Sequence, residues 1–398
     1  MKGRDNKPHI GVFGRRNYGK SSLINAITGQ NTSITSPVAG TTTDPVKKSI
    51  EIFGIGPVIL IDTAGIDDLG ALGAQRVDKS VEILKIVDFA IIVINDYNWG
   101  EPENTLTHLL SDYGTPFVIV NNKCDECSQL KSSAGNNAVV NVSAKNKLGI
   151  DELIAEIVRR MPESAWHTQS LLGDVISEND TVVLVTPIDS EAPEGRLILP
   201  QVQTIRDILD NRAIAIVLQH DKLQNYLKSN PAPKLVITDS QVFGVVAPIV
   251  PPSVPLTSFS IVLAHHKGDF ENYLKGTPQI CNLQDGDKIL MLESCTHQTS
   301  CDDIGRVKIP RLLQKYTGKR IEFVYVTGLD KIPDIKDFAM VVQCGGCMVT
   351  HKQLVNRLRP AIEKGIPVTN YGMLLAYVNG IFDRAVQIFL KVENQKEK

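Results

Sequence analysis

The sequence predicts an α/β protein of three domains, and three observations carry that prediction. A strand, a glycine-rich loop and a helix follow one another between His9 and Ile27. A β-α-β-α-β rhythm fills the stretch from Asp180 to Leu263. In the last third, two apolar strands each end in a loop bearing soft-metal ligands, Cys295-Thr-His297 and Cys344-Gly-Gly-Cys347. With 398 residues the chain is long enough to bury two or three cores. The expected divisions are 1–165, 175–266 and 267–398.

Composition narrows the class. A hydrophobic content of 42% with 22% charged residues is ordinary for a soluble globular protein. A formal net charge of −2 argues against a large nucleic-acid footprint. The opening MKGRDNKPHIGVFG has no long apolar run or cleavage site, and no later stretch approaches the ~18 apolar residues of a membrane span. A cytoplasmic protein without membrane contact is expected. There, seven cysteines are read as thiols or metal ligands rather than disulfides.

The first domain carries a nucleotide signature. His9–Phe13 reads as a buried strand running into Gly14-Arg-Arg-Asn-Tyr-Gly19-Lys20-Ser21, followed by a helix from Ser22 to Ile27. The glycines let backbone N–H groups wrap a β-phosphate, Lys20 reaches the β/γ oxygens, and Ser21 ligates Mg²⁺. Asn17, Tyr18, Gly19 and Ser22 complete the phosphate loop. Four elements follow in order. Gly40-Thr41-Thr42-Thr43-Asp44 fits a switch loop in which Thr41 or Thr42 caps the γ-phosphate and Mg²⁺. Val58–Asp62 is a buried strand delivering Asp62 toward Mg²⁺, and Gly65 offers its N–H to the γ-phosphate. Val118–Asn122 leads into Lys123 and Asp125, whose carboxylate accepts from guanine N1–H and the 2-amino group. Ser143, Ala144 and Lys145 supply the backbone contact to guanine O6. Adenine would leave Asp125 unpaired, so the combination specifies GTP.

Together these motifs resemble the translation-factor-related GTPases of the tRNA-modification and ribosome-assembly type, which makes the first domain a P-loop GTPase domain. Ile66 stands where Ras-like enzymes hold a water-positioning glutamine. Asn17 occupies the position at which potassium-activated members hold a K⁺ ligand. K⁺-activated hydrolysis to GDP and phosphate is therefore expected, with Lys20, Asn17 and Thr42 as the catalytic set. Cys124 and Cys127 form a Cys-x-x-Cys inside the guanine motif. Metal ligation there would pull Asp125 off the base and is not expected.

In the middle segment, strands are read at Asp180–Thr186, Ala213–Val217, Lys234–Thr238 and Phe259–Leu263, with helices at Leu199–Leu209 and Asp221–Leu227. This implies a small parallel sheet covered by helices, serving as a dimerisation surface. His265 and His266 are adjacent and cannot face one ion together; they are read as solvated or capping residues.

In the C-terminal third, strands at Lys288–Leu292 and Phe338–Val342 run into the two ligand loops, and a helix from Thr350 to Glu363 is stopped by Gly365. Ligands at the C-terminal ends of parallel strands lie where open α/β sheets bind their ligands. Three thiolates from Cys295, Cys344 and Cys347 suit a [4Fe–4S] cluster, with His297 as the candidate for the fourth iron. A Cys₃His zinc site is the alternative, disfavoured because these ligands crown an apolar sheet able to fold without metal. Cys301 is a spare thiol or alternative ligand, and Cys281 is inert. A GTPase acting on RNA with a structural zinc would need a basic, aromatic-rich C-terminal surface, and Lys308–Lys336 has no aromatic platform. The Cys-x-x-x-Cys-x-x-Cys loop of radical-SAM enzymes is absent.

With those residues in place, the whole chain resembles the HydF-type GTPases that serve as scaffolds in [FeFe]-hydrogenase maturation. Cys295, His297, Cys344 and Cys347 match the family pattern of Cys-x-His followed by His-Cys-x-x-Cys. The run Ala192-Pro-Glu-Gly-Arg-Leu-Ile-Leu-Pro-Gln-Val-Gln-Thr-Ile-Arg206 matches as well. Gln343 departs from the pattern, standing where many members have histidine, and leaves the fourth iron to His297, water or a mobile side chain. The resemblance implies a GTPase domain, a dimerisation domain and a cluster domain. It also implies a homodimer that takes a transient diiron precursor from two radical-SAM maturases to the apo-hydrogenase.

Overall fold

A computed structural model describes residues 7–29, 46–66, 83–127, 129–134, 137–162, 165, 170–187, 197–294, 303–328, 330, 332–347 and 349–396. The chain divides into two compact units, Met1–Thr168 with Thr350–Asn356, and Gln169–Val349 with Arg357–Lys398.

The first unit is built on β1 (His9–Gly14), β2 (Val46–Ile52), β3 (Gly56–Asp62), β4 (Phe89–Asn95), β5 (Phe117–Asn122), β6 (Ser133–Ala134) and β7 (Asn137–Asn141). Their order in the sheet is β2-β3-β1-β4-β5-β7-β6. The five central strands are parallel; β2 pairs antiparallel with β3, and β6 with β7. Strands β1 and β4 are apolar at nearly every position because both faces are covered. Helices α1 (Lys20–Thr28) and α3 (Ile150–Arg160) share one buried cluster, and α2 (Glu101–Asp112) closes the other face.

The second unit holds two four-stranded parallel sheets of the same internal order. The first contains β8 (Thr181–Val185), β9 (Ile214–Leu218), β10 (Leu235–Thr238) and β11 (Leu256–Ser258), with α4 (Leu199–Asp210) and α5 (His220–Ser229) as crossovers. The second contains β12 (Lys288–Leu292), β13 (Glu322–Val326), β14 (Met340–Gln343) and β15 (Val368–Asn370). In each, the second strand pairs outside the first, and the third and fourth add on the first strand's other side. One buried cluster running from Leu171 to Phe389 takes side chains from both sheets.

Most expected elements are found within a residue or two of their expected ends. One differs in kind. Phe259–Leu263 is not a strand: the strand is Leu256–Ser258, and Phe259–Lys267 is a helix, α6. Ser258 caps it, its hydroxyl accepting from Ile261 N–H at 3.3 Å, a bond worth about 1 kcal/mol. His265 consequently sits in that helix's last turn, half-buried and stacked on Phe389 with ring centroids 4.3 Å apart. The helix His351–Glu363 is as expected, opened by a Thr350/Gln353 capping box and followed by Gly365 at φ 68°. Among the described residues no helix is long and apolar enough to cross a membrane.

Candidate nucleotide and metal sites

The phosphate loop bridges β1 and α1 through backbone that only small residues tolerate. Gly14 has φ 148°, and a Cβ there would lie 2.3 Å from the Val93 carbonyl oxygen. Gly19 has φ 84°, and a Cβ there would strike Asn122 Nδ2 at 2.4 Å. Asn17 itself adopts φ 64°, a left-handed conformation that asparagine tolerates better than most residues, and is exposed. The Lys20 ammonium is held inside the loop, donating to the carbonyls of Gly14 and Arg15 at 3.0 Å each. Ser21 and Ser22 are exposed at the helix N-terminus.

The Mg²⁺ residues meet directly. Ser21 Oγ donates to Asp62 Oδ2 at 2.5 Å, while Asp62 Oδ1 is buried with no partner among the described residues. Burial pushes the Asp62 carboxyl up, and Ser21, Lys20 and Lys48 oppose that shift. An orphaned carboxylate oxygen beside a serine hydroxyl is the donor set a hard divalent cation satisfies, so the residues present fit Mg²⁺. Gly65 is buried beside this site, and Ile66 N–H donates to Gly14 O at 3.3 Å.

Asn122 joins three motifs. Its Nδ2 donates to the Tyr18 carbonyl at 3.0 Å, and its Oδ1 accepts from Ala144 N–H at 3.1 Å. The phosphate loop and the loop that carries Ala144 are thereby tied to the end of β5. Lys123 turns the chain at φ 60° into a single 3₁₀ turn, Cys124–Glu126, which presents Asp125 fully exposed. The Ser143 hydroxyl beside Asp125 holds its carboxyl below the usual range, keeping it ionised. Lys145 is exposed on the same loop. Asp125→Asn is expected to exchange guanine for xanthine preference, and unchanged GTP affinity in a nucleotide titration would rule out Asp125 as the base reader.

Two participants carried no motif. Arg15, inside the phosphate loop, forms a bidentate pair with Glu103 at 2.8 and 2.7 Å. Burial would raise the Glu103 carboxyl, but Arg15 and the Gly100 N–H outweigh it and lower it. Thr41 and Thr42 lie outside the described residues.

At the second site, β12 and β14 are adjacent and parallel, with Leu292 opposite Gln343 in the last register pair. The loops that carry the cysteines therefore leave the sheet side by side, at the point where the strand order reverses. Cys344 N–H donates to Leu292 O at 3.0 Å. Gly346 at φ 63° turns the loop back, and Cys344 and Cys347 are partly buried thiols. Cys295, His297, Cys301 and the start of the run from Ala192 lie outside the described residues. Gln343 is fully buried, its Oε1 accepting from Tyr273 Oη at 3.0 Å.

The surroundings of Cys344 are rich in donors. Tyr371 Oη and Arg357 Nε are both buried without a partner among the described residues, and both feel the charge of Cys344. Arg357 otherwise donates to Glu293 O and Val326 O, at 2.9 and 3.2 Å. Lys267 is buried nearby; burial lowers its ammonium to about 8 against the pull of Cys347 and Cys344. Donors around partly buried thiols fit an anionic sulfide- and thiolate-bearing cluster, which offers many acceptors. Sequence reasoning missed these donors because they lie far from the cysteines in the chain.

The first unit is thus a P-loop GTPase domain, and the second adds a pair of α/β layers with a thiol-bearing switch point. Family models for a "50S ribosome-binding GTPase", the "Hydrogen maturase F dimerization domain" and the "Hydrogen maturase F tetramerization domain" match residues 9–123, 171–268 and 271–388. The two maturase models alone take in more than half of the sequence, and the chain belongs to the hydrogen maturase F family.

Among curated proteins, the tRNA modification GTPase MnmE of Heliobacterium modesticaldum is 36% identical over 157 residues, covering 38% of this chain and 33% of the relative. GTPase Der of Wolinella succinogenes is 32% identical over 177 residues, covering 39% and 37%. The chain spans about a third of the length of these relatives. A solved structure of Era from Aquifex aeolicus overlaps 53% of this chain and 92% of its own, at 20% identity and a TM-score of 0.35.

Proposed function

We propose that this chain is a cytoplasmic, homodimeric GTP-hydrolysing scaffold for [FeFe]-hydrogenase maturation. It carries a [4Fe–4S] cluster on Cys295, Cys344 and Cys347, with His297 on or near an exchangeable fourth iron. It receives a diiron precursor from radical-SAM maturases and passes it to the apo-hydrogenase. The observation that carries this reading is the adjacency of β12 and β14, which starts both cysteine loops from one end of one sheet. The descriptions of the matched dimerization and tetramerization domains support self-association. Strand β9, at the sheet edge among the described residues and with Ile214 and Val217 exposed, offers an open side for it. Sedimentation of the purified chain as a monomer would remove that part.

The GTPase half works through charge and position. Lys20 and the backbone N–H groups of the loop and of the α1 N-terminus hold the phosphates. Ser21 and Asp62 would hold Mg²⁺, which would neutralise negative charge developing on the phosphates. Asn122 keeps the phosphate and guanine loops in register. No glutamine follows Gly65, so Ile66 cannot orient water, and a K⁺ ion held by Asn17 would supply the missing positive charge. Hydrolysis is expected to run faster in K⁺ than in Na⁺, with Asn17→Ala erasing the difference. Equal rates in the two salts would remove K⁺ from the mechanism.

At the cluster site the protein's own contribution is three thiolates from two neighbouring loops and a donor-lined floor. When bound, the cluster supplies an iron not fixed by cysteine, to which a precursor can attach.

A further inference from the structure

The described part of the cysteine site holds more than thiols. Ser294, two residues past the end of β12, is 6% exposed. Its N–H donates to Cys344 Sγ at 3.1 Å, and its Oγ lies 3.1 Å from the same sulfur. As a thiol, Cys344 donates its S–H to Ser294 Oγ. A metal-bound thiolate has no proton to give, so this contact must reverse, and the serine O–H then donates to sulfur. One residue thus delivers two hydrogen bonds to one ligand atom.

Lys267 acts from another direction. It ends helix α6, is 6% exposed, and donates to the Val349 carbonyl at 3.2 Å, two residues beyond Cys347. Its charge reaches both Cys344 and Cys347. The carboxylate of Glu293, beside Ser294, is matched by a bidentate Arg306 at 3.1 and 2.8 Å, so it does not cancel the lysine.

We propose that Ser294 and Lys267 are positioning residues that raise the reduction potential of the metal centre, by drawing electron density from Cys344 and offsetting the charge of the thiolate pair. The inference rests on the cluster reading above. Adding an electron to an iron–sulfur centre adds negative charge, and dipoles aimed at a ligand sulfur stabilise that state more than the oxidised one. A buried ammonium does the same with little solvent screening. A purely structural Ser294 or Lys267 would stabilise both redox states alike and leave the potential unmoved.

The test is an anaerobic redox titration of the reconstituted full-length chain, followed by EPR, with iron and sulfide counted in the same samples. Ser294→Ala should keep its iron and sulfide. At a fixed ambient potential its reduced-to-oxidised ratio should fall about fivefold, the net worth of one hydrogen bond. Ser294→Thr, which keeps the hydroxyl, should restore the wild-type value. Lys267→Met should shift the same way and Lys267→Arg should reverse it; if Lys267→Met does not fold, the serine pair decides alone. A fully loaded Ser294→Ala protein that titrates with the wild type, or above it, overturns the proposal. Failure of the underlying reading is distinct, because the wild type itself would then hold no inorganic sulfide and give no signal, removing both.

Discussion

Lys20→Ala is expected to abolish GTP hydrolysis, by on the order of 10²–10³-fold or more, while leaving the iron content of the chain unchanged. The ammonium is buried in the loop, held by the Gly14 and Arg15 carbonyls at 3.0 Å. Removing a preorganised charge aimed at developing negative charge typically costs that much. Arg15 is committed to buried Glu103, and Ile66 has no polar atom to offer in its place. The cysteine site lies in the other compact unit, with its own sheet and buried cluster. Phosphate release and iron analysis on one preparation read both halves, and loss of iron in Lys20→Ala would contradict their independence.

Cys344→Ser and Cys347→Ser are expected to lose most of the bound iron, as is Cys295→Ser. Oxygen is a poor ligand for this iron, and two remaining thiolates cannot hold the cube. At Cys344 and Cys347 serine keeps nearly the same shape in a partly buried loop, so the fold should survive, and circular dichroism would separate misfolding from metal loss. His297→Ala is expected to keep the cluster and change its EPR signal, because water or a small ligand can fill a position that no thiolate holds. Iron loss as complete as in the cysteine variants would make His297 obligatory and end the exchangeable-site mechanism.

What the sequence disclosed follows from how local each feature is. The phosphate and guanine motifs were legible because each is a short run whose spacing is itself the chemistry. The strand ends carrying the cysteines were legible for the same reason. Phe259–Leu263 was misread because Ile261, Val262 and Leu263 are buried on all sides of a core helix, which removes the polar face that marks helical period. The Ser258 cap just before it was the available signal, and outweighed the β-branched run. Arg15–Glu103 and Tyr273–Gln343 were out of reach, joining residues 88 and 70 positions apart. Ser294 and Cys344, 50 positions apart, meet only because β12 and β14 pair in parallel. That the two small sheets share one buried cluster is likewise a fact of packing, invisible to periodicity.

The central claim is that one chain joins a GTPase to an iron–sulfur centre, and metal analysis of the anaerobically purified and reconstituted protein tests it most directly. The account predicts about four irons and four inorganic sulfides per chain, with an EPR signal that appears on reduction. About one zinc per chain, with no sulfide and no signal, would contradict it.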